Sequence, residues 1–533
     1  MEVVRRFAKR IVFASVLPTL AWAQLYTSAK PKPVDPLTYN TVISEISIAD
    51  MRTAIKQSWR HGLNPKLYWT DSLETSYSKG VNVRSAANQA YLRLLNHLYV
   101  GSVNPQYVSY DIKFVKKEFL TPKQLRAISL ATGKDARSLM DEVAPQNAPY
   151  QSVREGLVKI YPACTDGSWR DITPVNVPLR MYSKNPVIAQ IKERMAILGY
   201  RINNINDTFD GDLLNAITDI QWNLRIKPDG EISPKGKVWA FLSVPCSERV
   251  RQLQVDMEKM RWFPQYFEDR YIFVNLAMSY FIMMDTSNPD YHRVMSFRTI
   301  NGRPTRKSPT MQDKVVKVIL NPFWTVPPTI FSEDKVNDLK VLTKAQIREY
   351  FDSHHYEVWT SDFRRRIDPT TIDWMGLSQG RVNYDISIRQ LPHLGNALGV
   401  VKFDLTNGFL IYLHDTNQRE LFDVPMRQLS SGCMRLEKPF DLAEYLLEDT
   451  AWDRKTIESM VARPGEVMSK STEIPIPKSK QVSVYTAYLT SMMSSDDVVR
   501  FVDDIYGQNT AIKSFLTPLF AGNESSQHWG RDY

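Results

Sequence analysis

The sequence predicts a multidomain α+β protein: a helical region first, a small three-helix unit next, and last a mainly β domain interrupted by an inserted subdomain. Three observations lead there. Apolar residues recur at helical spacing up to about residue 245 and alternate as in strands from about residue 268. The 533 residues suggest about three or four domains. The composition, 43% hydrophobic and 23% charged, excludes a mainly disordered, collagen-like or many-span membrane chain.

Residues 1–23 have three parts: the basic Arg5, Arg6, Lys9 and Arg10, an apolar run from Ile11 to Ala21, and Ala21-Trp22-Ala23. This is the pattern of a secretory signal, with Gln24 beginning the mature chain. An uncleaved short anchor is the competing reading, although the run is short for a span. The expected location is outside the cytoplasm. The net charge is +9, and removal of residues 1–23 takes away four basic residues and one acidic one, leaving +6. A basic balance favours polyanionic partners without implying nucleic acid.

A Lys- and Pro-rich leader follows to residue 38. Asp50 is placed to cap a helix carrying Met51, Ile55 and Trp59, with Gly62 as its stop. A second helix aligns Tyr91, Leu94, Leu95 and Leu98 and stops at Gly101. Asn64-Pro65 and Asn104-Pro105 mark turns after the two stops. Asp141 to Gln151, with two prolines, reads as a bend or linker. Between 184 and 245, one helix carries Val187, Ile188, Ile191, Met195 and Leu198, a second carries Leu213, Ile217 and Ile220, and a short third runs through Trp239 and Leu242. Strands are expected at Tyr271–Leu276, Lys314–Leu320, Gly408–His414 and Val482–Tyr488. Helices are expected near 343–351 and over 439–448. Residues 330–395 read as an insertion between strands.

Chemistry has few candidate centres. The eight histidines, at 61, 97, 292, 354, 355, 393, 414 and 528, include none at metal-ligand spacing with Cys or Glu. Gly376-Leu377-Ser378-Gln379-Gly380 matches the hydrolase elbow, yet a strand-like run rather than a helix follows it. The stronger signal is His414 at the end of an apolar strand and, 19 residues on, Cys433 in a Ser-Ser-Gly turn expected to precede a helix. Gly432 permits close backbone approach. A nearby imidazole or helix N-terminus lowers a thiol's pKa. His414 is placed to take the thiol proton and return it to a leaving amine, and the amides of Ser431 to Cys433 are placed to hold an oxyanion. The plainer alternative is a structural Cys and a satisfied strand-end His.

Two resemblances extend this reading. Gly199-Tyr200, Phe209-Asp210-Gly211, Gln221-Trp222, Asp229-Gly230 and Trp239 follow the order of a type 1 peptidoglycan-binding domain. Ser430-Ser431-Gly432-Cys433-Met434-Arg435, with His414 upstream, resembles the signature of the L,D-transpeptidase catalytic domain. Asn321 to Pro327, Asn396-Ala397-Leu398-Gly399, Ile411 to His414 and Asp504 to Gly507 agree with it. The whole resembles the large periplasmic L,D-transpeptidases of Gram-negative bacteria. The implied domains are a signal peptide 1–23, a helical scaffold 40–165, a peptidoglycan-binding domain 184–245, and a catalytic domain 268–468 with a capping insertion 330–395. C-terminal strands 469–510 return to the scaffold or the catalytic domain, and 511–533 form a tail.

The resemblance implies Cys433 as nucleophile and His414 as general acid/base. It implies Tyr412, Ser431, Gly432, Arg435 and Trp324 as substrate-binding or oxyanion residues. Ser431 stands where many members have a second His, Asp415 where many have Gly, and Pro392-His393 where many have Pro-Gly. Arg435 has a second reading as a clamp on the Cys loop, and Trp324 as a packing residue. The implied reaction is a thioester on Cys433 with release of D-Ala, then attack by a diaminopimelate amine. No metal or organic cofactor is required, and carbapenems are expected to acylate Cys433. The implied partners are peptidoglycan stem peptides and cell-wall synthesis proteins, with no nucleic acid and no stable membrane span. Water or a lipoprotein lysine as acceptor, a non-catalytic wall-binding scaffold, and a hydrolase using Ser378 are the alternatives. For Cys164 and Cys246, a disulfide and two separate buried thiols both remain open.

Overall fold

The computed structural model describes residues 36–288, 290 and 292–520. The expected signal segment, His528 and residues 521–533 of the expected tail lie outside them. The helix Ile48–Lys56 buries Met51, Ala54 and Ile55, and its cap is Ser47 rather than Asp50: the Ser47 hydroxyl accepts the Asp50 amide at 3.0 Å. Asp50 sits instead in the first turn, where a carboxylate favours the helix dipole. Trp59 follows on a 3₁₀ turn and stacks on Tyr161 with centroids 4.0 Å apart. The helix Arg84–Val100 buries Tyr91, Leu94, Leu95 and Leu98. Asn64 and Asn104 each cap a short 3₁₀ turn opened by the following proline. The bend expected over 141–151 is much shorter. The helices Ala136–Val143 and Ala148–Thr165 occupy all but 144–147, and Pro149 falls in a first turn, where its missing N–H is no loss.

The helices Pro186–Leu198, Gly211–Asn223 and Lys237–Leu242 make the three-helix unit. Gly199 ends the first in the left-handed region (φ +100°), and Asp210 caps the second through the Leu213 amide at 3.1 Å. A disulfide joins Cys164 to Cys246, with Cα atoms 5.5 Å apart, and so ties the two ends of this unit together. Closing a loop of 82 residues restricts the unfolded chain by about 4 kcal/mol. The next helix, Cys246–Met260, is buried on nearly every face. The four fully buried charges at its C-terminal end are paired: Lys259 with Asp256 at 2.9 Å and Arg261, just past the helix, with Glu258 at 2.6 Å. Glu258 also accepts the Val103 amide, while Asp256 accepts those of Thr490 and Ser491. One helix thereby pins the scaffold to the C-terminal strands.

The β domain is built from β1 (Arg270–Asn275), β2 (Tyr280–Asp285), β3 (Arg293–Gly302), β4 (Met311–Leu320), β9 (Val401–Leu405), β10 (Leu413–His414), β11 (Gln428–Ser430), β12 (Met434–Leu436), β13 (Thr472–Pro475) and β14 (Val482–Ala487). The order β11-β3-β12-β10-β9-β4-β14-β1-β2, with β2 also paired to β3, closes the sheet around a core that includes Val274, Phe281, Phe403, Leu413 and Met434. β14 is central, so the C-terminal strands belong to the sheet itself; β15 (Ser491–Met493) and β16 (Val499–Phe501) then form a hairpin against the helix Ala148–Thr165. The insertion has its own four-stranded sheet, β5 (Trp324–Thr325), β8 (Ile386–Gln390), β6 (Tyr356–Thr360) and β7 (Arg366–Ile367), in the order β5-β8-β6-β7 and with a separate core around Val358, Trp374 and Ile388.

The strand expected over Gly408–His414 shrinks to Leu413–His414. Asn407 holds the preceding residues in a turn, accepting the Phe409 amide at 3.0 Å and donating to the Ile411 carbonyl at 2.9 Å. Leu410 adopts φ +58° there, and Phe409 and Leu410 stay exposed at the cleft mouth rather than joining a core. The apolar run reads as a strand because side-chain type does not reveal a turn closed by one upstream asparagine.

Candidate active site

The parallel pairing of β10 with β12 sets the site. Leu413 lies opposite Met434 and His414 opposite Arg435, and the Met434 amide donates to the Tyr412 carbonyl at 3.2 Å. Successive side chains on a strand alternate in direction. Leu413 and Met434 point into the core and are fully buried. Tyr412 and His414 on one strand, with Cys433 and Arg435 on the other, therefore share the opposite face. All four line a cleft of about 840 Å³, together with Trp324, Ser430, Ser431 and Gly432. The structure thus gathers every sequence-predicted site residue around one opening. Trp324 both faces the cleft and packs on the insertion's core, its ring 6.3 Å from Tyr356.

The cysteine turn is held from several sides. Ser430 Oγ donates to the Cys433 carbonyl at 2.6 Å and accepts the Gly432 amide at 3.2 Å. Ser308 Oγ donates to the Gly432 carbonyl at 2.6 Å, and Arg306 donates to Ser431 Oγ at 3.1 Å. Gly432 takes φ +118°, which an L side chain rarely adopts. Because Ser430 occupies the Gly432 amide, that group is not open to an oxyanion as the sequence suggested. Arg435 donates to Gln418 at 2.8 Å and makes no hydrogen bond to the 430–433 turn, so it is not the clamp. Arg306 takes that part, and its long-range approach left no sequence signal.

Two features differ from the sequence reading. Cys433 is followed by the strand β12, and the next helix, Pro439–Leu446, begins only at 439, so no helix dipole acts on the thiol. Nor is the thiol poised as a thiolate. Protein surrounds Cys433 except toward the cleft, and this desolvation pushes it up to about 11, against the opposing Tyr412 contacts and the charges of Lys402 and Arg435. Sγ donates to the Leu410 carbonyl at 3.6 Å, a contact that favours the protonated form. His414 is fully enclosed; desolvation, and then the charge of Arg435, lower it to about 3. No hydrogen bond reaches its Nδ1. Near neutral pH both partners are uncharged.

The wall behind His414 explains Asp415. Its buried carboxylate accepts the Val400 amide at 3.1 Å and pairs with Arg419 at 2.7 Å. Gly399 (φ +61°) lies so close that a Cβ there would meet Asp415 Oδ2 at 2.3 Å. Asn396 orders the same turn through the Leu398 amide at 2.8 Å, and Leu398 faces the cleft. The scaffold also reaches the opening. Lys113 donates its amide to Thr310 at 2.8 Å, which brings Tyr110, Asp111 and Lys113 to the cleft wall. Nothing in the sequence placed these three there.

Residues 269–463 match the family model described as an L,D-transpeptidase catalytic domain, and residues 43–157 match a scaffold domain. This segment is similar to the catalytic domain of L,D-transpeptidases. A putative L,D-transpeptidase of Haemophilus influenzae is 30% identical over 276 residues, covering 50% of this chain and 51% of the relative. The chain thus spans about half the length of the curated relative it matches. The crystal structure of an L,D-transpeptidase (residues 123–326) from Xylanimonas cellulosilytica overlaps 59% of this chain and 100% of its own, at 12% identity and a TM-score of 0.18, too slight an overlap to add to the assignment. The matched segment includes all four side chains on the shared face of β10 and β12. Its matched range ends at 463, before β13 and β14, which complete the sheet.

The other candidates are elsewhere. Ser378 ends a short helix in the insertion and is exposed, with Oγ donating to the Met375 carbonyl at 2.8 Å. That is not the strand-turn-helix a nucleophile elbow needs. His61 pairs with Asp141 at 2.7 Å, and His97 bonds Tyr68 at 2.8 Å, both in the scaffold. Among the described residues, no group of three or more His, Cys, Asp or Glu side chains is arranged to hold a metal ion. No helix among them is long and apolar enough to cross a membrane.

Proposed function

We propose that this protein is an L,D-transpeptidase acting on peptidoglycan stem peptides outside the cytoplasm, with Cys433 as nucleophile and His414 as general acid/base. The register of β10 with β12 carries the reading, because it gives Cys433, His414, Tyr412 and Arg435 one common face in a cleft of about 840 Å³. As the donor's carbonyl approaches, the Cys433 proton passes to His414 while Sγ bonds the carbonyl carbon. The amide of Cys433 and the hydroxyl of Tyr412, which lines the same cleft, serve as donors to the developing oxyanion. The imidazolium returns its proton to the amine of D-Ala, the C–N bond breaks, and a thioester remains. A diaminopimelate amine then attacks, losing its proton to His414, and the sulfur leaves and regains a proton. The product is a diaminopimelate–diaminopimelate cross-link.

A neutral pair suits this sequence of steps. The ring starts unprotonated and is able to accept, and Arg435 opposite His414 makes the imidazolium short-lived. The peptidoglycan-binding reading of 184–245 rests on its motif order and on the three-helix unit that carries it. Incubation with defined tetrapeptide muropeptides, followed by mass analysis, tests the assignment. Cross-linked dimers that vanish in Cys433→Ala are expected. Trimmed tripeptides alone would make the activity a carboxypeptidase, and products persisting in Cys433→Ala would reject the assignment.

A further inference from the structure

A second cavity, of about 450 Å³, shares no lining residue with the catalytic cleft. It lies where the start of the helix Ala148–Thr165, the end of the helix Gly211–Asn223, the β1–β2 hairpin and the β15–β16 hairpin meet. Junctions between domains are a common place for small-molecule sites, and the volume is in their range. Its walls are largely apolar, with Phe273, Ile282, Met278 and Met492 among them.

Four arginines reach this cavity, and no Asp or Glu lines it. Two of the four are compensated. Arg298 pairs with Glu437 and with Asp423, and Arg500 pairs with Asp219 and Asp496. The other two, Arg225 and Arg427, have no carboxylate within ion-pair distance among the described residues. Arg225 donates to Gln428 Oε1 at 3.0 Å and to the Ala277 carbonyl at 2.7 Å. Arg427 donates to the Val424 carbonyl at 3.1 Å and lies over the Trp222 ring at 5.1 Å. It is 5% exposed, and its Nε has no acceptor.

A guanidinium keeps its charge when buried, so these neutral acceptors leave two cations facing apolar walls. A buried charge without a counter-charge is costly. An anion delivered into the cavity would offset that cost, and the planar fork of arginine matches a carboxylate. The methionines offer adaptable walls for an uncharged body. We propose that this cavity binds a small amphipathic carboxylate, its headgroup on Arg427 and Arg225 and its apolar body among the methionines. Two sources share that chemistry: the C-terminus of a short acylated peptide, and a medium-chain fatty acid.

Calorimetric titration of the full chain with octanoate and with N-acetyl-leucyl-alanine tests this. Saturable binding of at least one is expected, with octanamide at least tenfold weaker than octanoate if octanoate binds. The ligand that binds identifies the source. Arg427→Met is expected to weaken binding at least tenfold without lowering the unfolding midpoint of the unliganded protein, since it removes a cation that lacks a counter-charge. Met278→Trp, which fills the cavity, is expected to abolish binding and serves if Arg427→Met does not fold. Absence of saturable binding to either carboxylate would overturn the proposal. So would amide binding equal to acid, acetate or phosphate binding as tightly, or unchanged binding in both variants.

Discussion

Two buried polar clusters in this protein are built in opposite ways. At the end of the helix Cys246–Met260 and just after it, the four fully buried charges Asp256, Glu258, Lys259 and Arg261 each have a counter-charge and further hydrogen bonds, as with Glu258 between Arg261 and the Val103 amide. In the cleft of Cys433 and His414, the histidine is buried and the half-buried cysteine opens only toward the cleft, yet both are neutral and His414 Nδ1 has no partner. Paired burial fixes geometry, because removing either member strands the other. Unpaired burial leaves a proton free to move, because neither end is committed to a charge.

The largest effect expected at the cleft is chemical. Cys433→Ala should lower transpeptidation by about 10³-fold or more while leaving the unfolding midpoint near that of the parent. The converse variant belongs to the other cluster. Glu258→Gln should cost about 3–5 kcal/mol in denaturant unfolding, with the rate of Cys433 acylation by a carbapenem unchanged in the protein that remains folded. Equal behaviour of these two variants would erase the comparison.

Acid sharpens it. His61, His97 and His414 are held neutral by burial, at about 4, 3 and 3. An unfolded histidine titrates near 6.5, so the unfolded state takes up protons first. Stability is then full above about pH 6.5 and falls as the pH drops from there toward 3–4, by about 1.4 kcal/mol per pH unit for each histidine. Urea midpoints measured between pH 7 and pH 5 check this, and His97→Phe should flatten the slope. The smallest effect is that of Tyr412→Phe, whose lost hydroxyl should slow acylation by about tenfold or less.

Much of this was legible in the sequence because it depends on local pattern. The helices around Tyr91 and Val187 follow from apolar spacing, and the Asn-Pro turns at 64 and 104 follow from side-chain capping. The pairing of His414 with Cys433 was readable from the motif around Cys433 with a histidine upstream, although the strand that follows Cys433 was expected to be a helix. What stayed hidden depends on distant residues. The turn at 408–412 is closed by Asn407 and leaves Leu410 in a left-handed conformation. Arg306 reaches Ser431 from 125 positions away, and the scaffold's Tyr110 and Lys113 enter the cleft through a bridge to Thr310. The protonation of the thiol was missed for the same reason, since desolvation comes from the assembled walls and not from the motif.

The neutral Cys433–His414 pair is tested most directly by following thiolate absorbance near 240 nm against pH, as the difference between the parent protein and Cys433→Ala. Cys433 is the one free cysteine among the described residues, so the difference isolates it. No step between pH 5 and pH 9, and a rise on approach to about 11, is the expected result. A step below pH 7 would reveal a preformed thiolate beside a protonated ring and contradict the account.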